Sequence, residues 1–308
     1  MTNTAVYATL DSLLQLRKHC RDLPLSAKSL HSGRQAGRQV SRLRGRGVDF
    51  DQVRLYQPGD DIRNIDWRVT ARTSKAHTKV FNEERERPVF IICEQSNRLF
   101  FSSQNYFKSV VCAQASALIA WVALAHNDRV GGMVFDADAC HEIRPKRSRG
   151  AILQLLAQLV NSNNALRPSD AAHSEPLNLA LRHSREVVRP GSILYVLCDH
   201  SAIDRLNQSS LCALSAHNDL ILLPVFDPWE AKMPSSSSLA FTQGARQITL
   251  NFSGAALQTA WAEQFLAREL AWQKLAKHLR CGLQTLDTIS APIDQLRLLL
   301  SEHARRWH

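Results

Sequence analysis

Four apolar runs decide the fold: Pro88-Val-Phe-Ile-Ile-Cys93, Asp128-Arg-Val-Gly-Gly-Met-Val-Phe135, Ser192-Ile-Leu-Tyr-Val-Leu-Cys198 and Asp219-Leu-Ile-Leu-Leu-Pro-Val-Phe226. Each has the length of a strand, and most lack the apolar–polar alternation of a half-wet sheet, so they read as strands buried on both faces. Gly131-Gly132 marks a place where another backbone approaches closely. Between the runs lie helical stretches: Lys108–Ala125, Gly150–Val160 with Ile152, Leu155, Leu156 and Leu159 at helical spacing, Leu177–Val187, and Leu206–His217. Strands alternating with helices predict βαβ units and a mainly parallel α/β sheet with helices on both faces.

Outward from this core the pattern changes. Pro228–Ser238 reads as a loop, Phe241–Phe252 as one or two short strands, and Leu257 to Leu270 as part of a long amphipathic helix ending near Gly282. Pro292 opens a last helix through Ile293, Leu296, Leu299 and Leu300. On the N-terminal side, Leu10, Leu13, Leu14 and Leu16 suggest a short amphipathic helix. A Gly/Arg-rich irregular stretch follows, then strand-like pieces at Val53–Tyr56, Ile65–Val69 and Thr78–Glu83. The expected division is a basic N-terminal segment, 1–87, and an α/β domain with C-terminal helices, 88–308.

The 308 residues carry a formal charge of +10, and 44% are hydrophobic, values that exclude wholesale disorder and low-complexity architecture. Residues 1–88 hold 17 Lys/Arg against 10 Asp/Glu, so +7 of the charge lies there. No basic leader with an apolar core and cleavage site is visible at the start. The uncharged run Ser109–His126 is at the short limit for a membrane span and reads as a buried helix instead. The seven cysteines are scattered without zinc-ligand spacing, so reduced thiols and a cytoplasmic chain are expected, with peripheral contact to the inner membrane left open.

The densest motif runs from Arg54-Leu-Tyr-Gln-Pro-Gly-Asp-Asp61 through Ile62-Arg-Asn-Ile-Asp-Trp67 to Thr70-Ala-Arg72, followed by Lys79-Val-Phe-Asn-Glu-Glu84. Pro58-Gly59-Asp60 is a turn. Arg54, Arg63, Arg68 and Arg72 beside Asp60, Asp61 and Asp66 suggest a network of bidentate Arg–carboxylate pairs, with Trp67 as an apolar anchor and Tyr56 in the same motif. This segment resembles the signature of the bacterial "domain of unknown function fifty-eight" family, and the likeness extends more weakly to Asp227-Pro-Trp-Glu230. The resemblance implies a von Willebrand factor A-like second part. It further implies a non-enzymatic adaptor working with a MoxR-type AAA+ ATPase on an unknown client.

Such domains often hold Mg²⁺ in a metal-ion-dependent adhesion site at the carboxyl ends of the strands. Against that pattern this chain offers Glu94, Ser96 and Arg98 after the first strand, Glu175 where a Thr is expected, and Asp199 after a later strand. Two of five positions survive and one is a guanidinium, which opposes a divalent ion. The expectation is a degenerate site without metal, closed by Arg98 pairing with Glu94, Asp199 or both; a looser acidic rim binding Mg²⁺ is the disfavoured alternative. None of the twelve His sits in a hydrolase motif, and His77 and His200 read as loop residues. Catalysis is therefore not expected, the alternative being a metal-dependent hydrolase built on Asp60, Asp61 and Asp66. Arg34, Arg38 and Arg42, with Arg44 and Arg46, form a basic arm. If helical, it offers a face to nucleic acid or to an anionic membrane, the second functional alternative.

Overall fold

The structure, a computed structural model, describes residues 3–22, 48–83, 88–167, 176–234, 238–243 and 246–297. Two compact units divide the chain: residues 34–86 form the smaller, and residues 1–33 with 87–308 form the larger.

The larger unit begins with α1 (Asn3–Val6) and α2 (Leu10–Gln15), followed by a 3₁₀ segment, Leu16–Asp22. Thr9 and Ser12 cap α2 reciprocally. Sequence placed this stretch with the signature segment, but it packs into the larger unit. Leu13 is fully buried and its carbonyl accepts the Trp121 indole N–H at 3.1 Å, while the Ala8 amide donates to Asn163 Oδ1 at 2.7 Å.

The smaller unit is a hairpin with an insertion. Strands β1 (Val48–Leu55) and β2 (His77–Glu83) pair antiparallel, and α3 (Trp67–Thr73) lies between them in sequence. The expected strand Ile65–Val69 is instead a single bridge, Ile65 to Thr78, followed by that helix. The reason is Asp66: its carboxylate accepts the Arg68 and Val69 amides, and this N-cap turns the chain into a helix.

Five α/β strands follow in the larger unit: β3 (Val89–Glu94), β4 (Val130–Phe135), β5 (Cys140–Lys146), β6 (Ile193–Asp199) and β7 (Asp219–Phe226). The helices are α4 (Lys108–Ala125), α5 (Arg149–Ala165), α6 (Pro176–Val187), α7 (Gln208–Ser215), the short α8 (Pro228–Ala231) and the long α9 (Ala255–Leu279). Strands β8 (Leu239–Gln243) and β9 (Arg246–Leu250) form a separate hairpin. Two-residue strands β10 (Gly282–Leu283) and β11 (Leu286–Asp287) both pair with β7. The main sheet has the order β10-β7-β6-β3-β4-β5, parallel except for the β4–β5 pair.

Strand periodicity divides the core. Val89, Ile91 and Cys93 of β3 and Ile193, Tyr195 and Leu197 of β6 face one side, against α4 and α5. Phe90 and Ile92, with Leu194, Val196 and Cys198, face the other, against α6, α7 and Trp272 and Leu275 of α9. A Cβ on Gly131 would lie 2.5 Å from the Pro145 nitrogen, and one on Gly132 would lie 2.6 Å from the Ile91 carbonyl oxygen, which is the close approach expected there. Strand β5 escaped the sequence reading because only Ile143 is buried along it; a charged edge strand carries no apolar signal. Helix α4 is the one helix among the described residues long and apolar enough to span a bilayer, and 83% of its apolar window is buried inside the fold. All seven cysteines are free thiols.

Candidate functional site

The carboxyl ends of β3 and β6, where an open α/β sheet places its ligands, bring together Glu94, Ser96 and Asp199. All three are buried. The Ser96 hydroxyl donates to Glu94 Oε1 at 2.5 Å, and the Asp199 amide donates to Glu94 Oε2 at 2.9 Å. Asp199 Oδ1 accepts from the Ser201 amide at 2.9 Å and from its hydroxyl at 2.5 Å.

A lysine closes the cluster. Lys108, the first residue of α4, points its ammonium at Asp199 Oδ2, 2.5 Å away, and at Glu230 Oε1, 2.6 Å away. Its side chain is 2% exposed, as against 28% for Glu230. A cation at a helix N-terminus opposes the macrodipole, so it needs local carboxylates to stay there. Burial by itself pushes the Lys108 ammonium down, but the charges and hydrogen bonds of Asp199 and Glu230 outweigh it and hold the group above its ordinary value. Burial works against ionised Asp199 as well, and Lys108 overcomes it, so that carboxyl lies below its usual range. Glu94 is the reverse case: burial and the Asp199 charge raise it despite donors from Ser96 and Asp199 and the nearby Arg98 guanidinium.

The third carboxylate comes from the Asp-Pro-Trp-Glu stretch, which sequence read as part of a loop. It forms α8, with Asp227 as N-cap, Pro228 at the first position and Glu230 completing a capping box. Asp227 is fully buried, accepting from Ser103 N and Oγ, Trp229 N and Thr288 Oγ1. Its own amide donates to Glu230 Oε2 at 3.1 Å, which aims the other oxygen at Lys108. Helix α9 packs beside this edge. His200, 1% exposed, stacks on Phe265 and contacts Glu269 through Nε2 at 3.2 Å, and its carbonyl accepts the Trp272 indole N–H. The His200 hydrogen bond is the main cause that lowers the Glu269 carboxyl.

Sequence expected Arg98 to close the rim by pairing with Glu94, Asp199 or both; the Arg98 charge does act on Glu94, and Lys108 is a further, buried cation bonded to Asp199. Glu175 lies outside the described residues, as does the whole basic arm Arg34–Arg46. Lys108 was missed because it stands immediately before the uncharged run and reads as its polar boundary. The available signal was a lone cation starting an apolar helix, contrary to the dipole. Glu230 was noticed only as part of a resemblance.

These oxygens do not fit a divalent ion. Both oxygens of Glu94, Asp199 and Glu230 already accept from Ser96, Asp199 N, Ser201, Lys108 or Asp227 N, and an ammonium sits between two of the three carboxylates. A Mg²⁺ ion needs octahedral oxygen ligands at short range. Among the described residues no three His, Cys, Asp or Glu side chains are grouped to hold a metal.

In the smaller unit the signature residues do something other than build an Arg–carboxylate lattice. Arg54 pairs with Asp60 at 2.7 Å, and Asp60 also accepts the Gln57 amide, closing the turn in which Gly59 has φ 106°. These hydrogen bonds, from Arg54 first and then Gln57, lower the Asp60 carboxyl. Asp61 caps a 3₁₀ turn through the Arg63 amide, while Asp66 caps α3 and lies 3.6 Å from Lys79. Two of the three carboxylates are therefore helix caps that accept the backbone amides of Arg63 and Arg68, not partners of their guanidinium groups. Tyr56 is half-buried, and its amide donates to the Ala76 carbonyl. Trp67, expected as an anchor, is 69% exposed and Ile62 64% exposed, with Arg63, Arg68 and Arg72 exposed around them. With Asp66 as N-cap, Trp67 takes the first position of α3.

The fold and its strand-end site define the class: a mostly parallel α/β sheet flanked by helices, with a smaller signature unit ahead of the sheet in sequence. The chain belongs to the family described as "Protein of unknown function DUF58", whose model matches residues 52–269. An uncharacterized protein of Mycobacterium tuberculosis is 24% identical over 234 residues, 76% of this chain and 72% of that one. The uncharacterized protein YeaD of Bacillus subtilis is 39% identical over 66 residues, 21% of this chain and 15% of that one. Among solved structures, the conserved hypothetical protein BatB from Bacteroides thetaiotaomicron has a TM-score of 0.44 at 15% identity, over 71% of this chain and 99% of that chain. A von Willebrand factor type A protein from Catenulispora acidiphila has a TM-score of 0.37 at 10% identity, over 74% of this chain and 44% of that chain.

Proposed function

We propose that this chain is a non-catalytic protein-binding component, an adaptor of the cytoplasm that works with a MoxR-type AAA+ ATPase on a client protein. The family and fold are compatible with a protein-interaction role, and the ATPase is the partner that the family resemblance implies. The observation that carries the reading is how the signature residues are used. Asp60, Asp61 and Asp66 fix a turn and two helix starts, and the motif presents Trp67, Ile62 and three arginines to solvent. Trp and Arg are the residue types that dominate protein–protein binding energy, and large apolar side chains ringed by charge are the usual anatomy of such a surface. A hydrolase would need those three carboxylates free to hold metal or activate water, and each is engaged by backbone amides.

The test is capture of the purified ATPase by the full-length chain, comparing wild type with Trp67→Ala and Arg72→Glu. Lys277→Glu, on α9, serves as a surface control. Loss of at least about tenfold in retained ATPase with the first two, equivalent to a ΔΔG of about 1.4 kcal/mol, is expected. Full retention by both would refute the reading.

A further inference from the structure

The larger unit segregates its charge along the direction of its strands. We propose that the amino ends of the parallel strands form a basic plate that docks on the surface of an anionic lipid bilayer, at the opposite end of the sheet from the Lys108, Asp199 and Glu230 cluster.

Strand register places the plate. Lys146, Val130, Val89, Ile193 and Asp219 lie in one row across β5, β4, β3, β6 and β7. The Gly282–Ile221 pairing of β10 with β7 brings Arg280 level with that row. Three helices turn there: α5 starts just after Lys146, α6 ends before β6, and α9 ends before β10. Lys146 and Arg149 are thus at one edge of the sheet, Arg185 and Arg189 at its middle, and Lys277 and Arg280 at the other edge. All six are exposed, and among the described residues none of them makes an ion pair. Among the described residues the carboxylates at this end are Asp128, Glu186 and Asp219, whereas Glu94, Asp136, Asp199, Asp227 and Glu230 stand at the other.

Helix dipoles account for two of the six cations. Arg185 and Lys277 sit in the last turns of α6 and α9, where positive charge is favoured. Arg149 begins α5, where the dipole opposes it, and Arg280 takes a left-handed C-cap with φ 52°, a conformation that favours glycine. Lys146 ends an edge strand, and Arg189 stands in a loop. At about 4.8 Å per strand the row is about 24 Å wide, and helices about 10 Å across flank it on both faces. Cations spread over a plane of that breadth match a layer of lipid headgroups, where each Lys or Arg adds its own attraction to the negative leaflet. A nucleic-acid site would add an element laid in a groove, or aromatics on which bases stack. Among the described residues no aromatic side chain is exposed at this end.

Co-sedimentation of the full chain with sucrose-loaded vesicles tests this. Vesicles of phosphatidylcholine mixed with phosphatidylglycerol are compared with phosphatidylcholine alone, at about 0.1 M and about 1 M NaCl. Binding is expected only to the anionic vesicles and only at the lower salt. Lys146→Glu/Arg149→Glu and Arg189→Glu/Lys277→Glu should each lower the partition coefficient by at least about tenfold while keeping the wild-type melting curve. Gln versions of the same pairs replace any Glu version that does not fold, with a fall of at least about threefold expected. Anionic-vesicle binding that survives both double variants overturns the inference. So does a loss confined to Arg38→Glu/Arg42→Glu, which assigns the binding to the basic arm. Equal binding to both vesicle types, binding to neither, or capture of a random-sequence DNA duplex without vesicle binding overturns it as well. Lys277→Glu by itself is expected to keep ATPase capture through Trp67, so the two readings fail separately.

Discussion

Replacing Lys108 with Met removes the ammonium while nearly keeping the volume of the side chain. What remains is Asp199, 3% exposed, with its Oδ2 oxygen unpaired, facing Glu230 and hydrogen-bonded through its amide to Glu94. Breaking a buried pair in this way costs about 3–5 kcal/mol, because the uncompensated carboxylate keeps its desolvation penalty. The Glu230 half is partly wet and is screened, so the lower part of that range applies. At about 2–4 °C per kcal/mol for a unit of this size, Tm should fall by roughly 6–15 °C.

The pH dependence has a definite sign. In wild type Asp199 lies below the unfolded carboxyl value, so its contribution is present above the ordinary range and is lost only as pH falls through its depressed value. In the Met variant the lowering influence is gone and burial raises Asp199 above the unfolded value. Its folded form is then favoured at low pH and penalised as pH rises. The gap between variant and wild type should therefore be wide at pH 8 and narrow towards pH 5. Urea denaturation followed by circular dichroism at both pH values measures it. A loss below about 1 kcal/mol at pH 8, or a gap that does not change with pH, would refute the reasoning that Lys108 neutralises buried Asp199.

Other substitutions probe single features. Glu94→Gln should be neutral or stabilising at pH 8, because the wild-type carboxyl is raised by burial and by Asp199, and the advantage should shrink as pH falls and wild-type Glu94 takes up a proton; calorimetry at the two pH values reads the trend. Gly131→Ala drives a Cβ into the Pro145 backbone, and a loss of about 1–3 kcal/mol is expected in chemical denaturation. Asp66→Ala removes the two amide contacts that start α3 and should cost the smaller unit about 1 kcal/mol, visible as faster amide hydrogen exchange in residues 67–73. Trp67→Ala, by contrast, should leave the melting curve within about 0.5 kcal/mol of wild type, since its side chain is mostly in water.

Much of the α/β architecture was legible because its signal is one-dimensional. A strand buried on both faces must be apolar throughout, and runs such as Ser192–Cys198 show it without reference to any neighbour. Gly131-Gly132 announced close packing for the same kind of reason, since only a missing Cβ permits it. The charged edge strand β5 was invisible because an exposed edge needs no apolar face, and the helix at Trp67 was hidden because one capping carboxylate, not periodicity, starts it.

The candidate site divides along the same line. Sequence placed Glu94, Ser96 and Asp199 at the ends of strands, because position after an apolar run fixes position at the sheet edge. It named Arg98 from proximity along the chain, and that charge does act on Glu94, but it carried no signal for Lys108 at Asp199. Only the tertiary structure brings residue 108 to residue 199 and both to residue 230, separations of 91 and 122 residues bridged by the packing of α4 beneath β6 and the turn of α8. By itself, then, the sequence determined the sheet, its buried strands and the acidic strand ends, since each depends on local pattern. Which cation fills the site, and that Trp67 faces water, the tertiary structure decided, because ion pairing and exposure depend on what distant segments bring within a few ångströms.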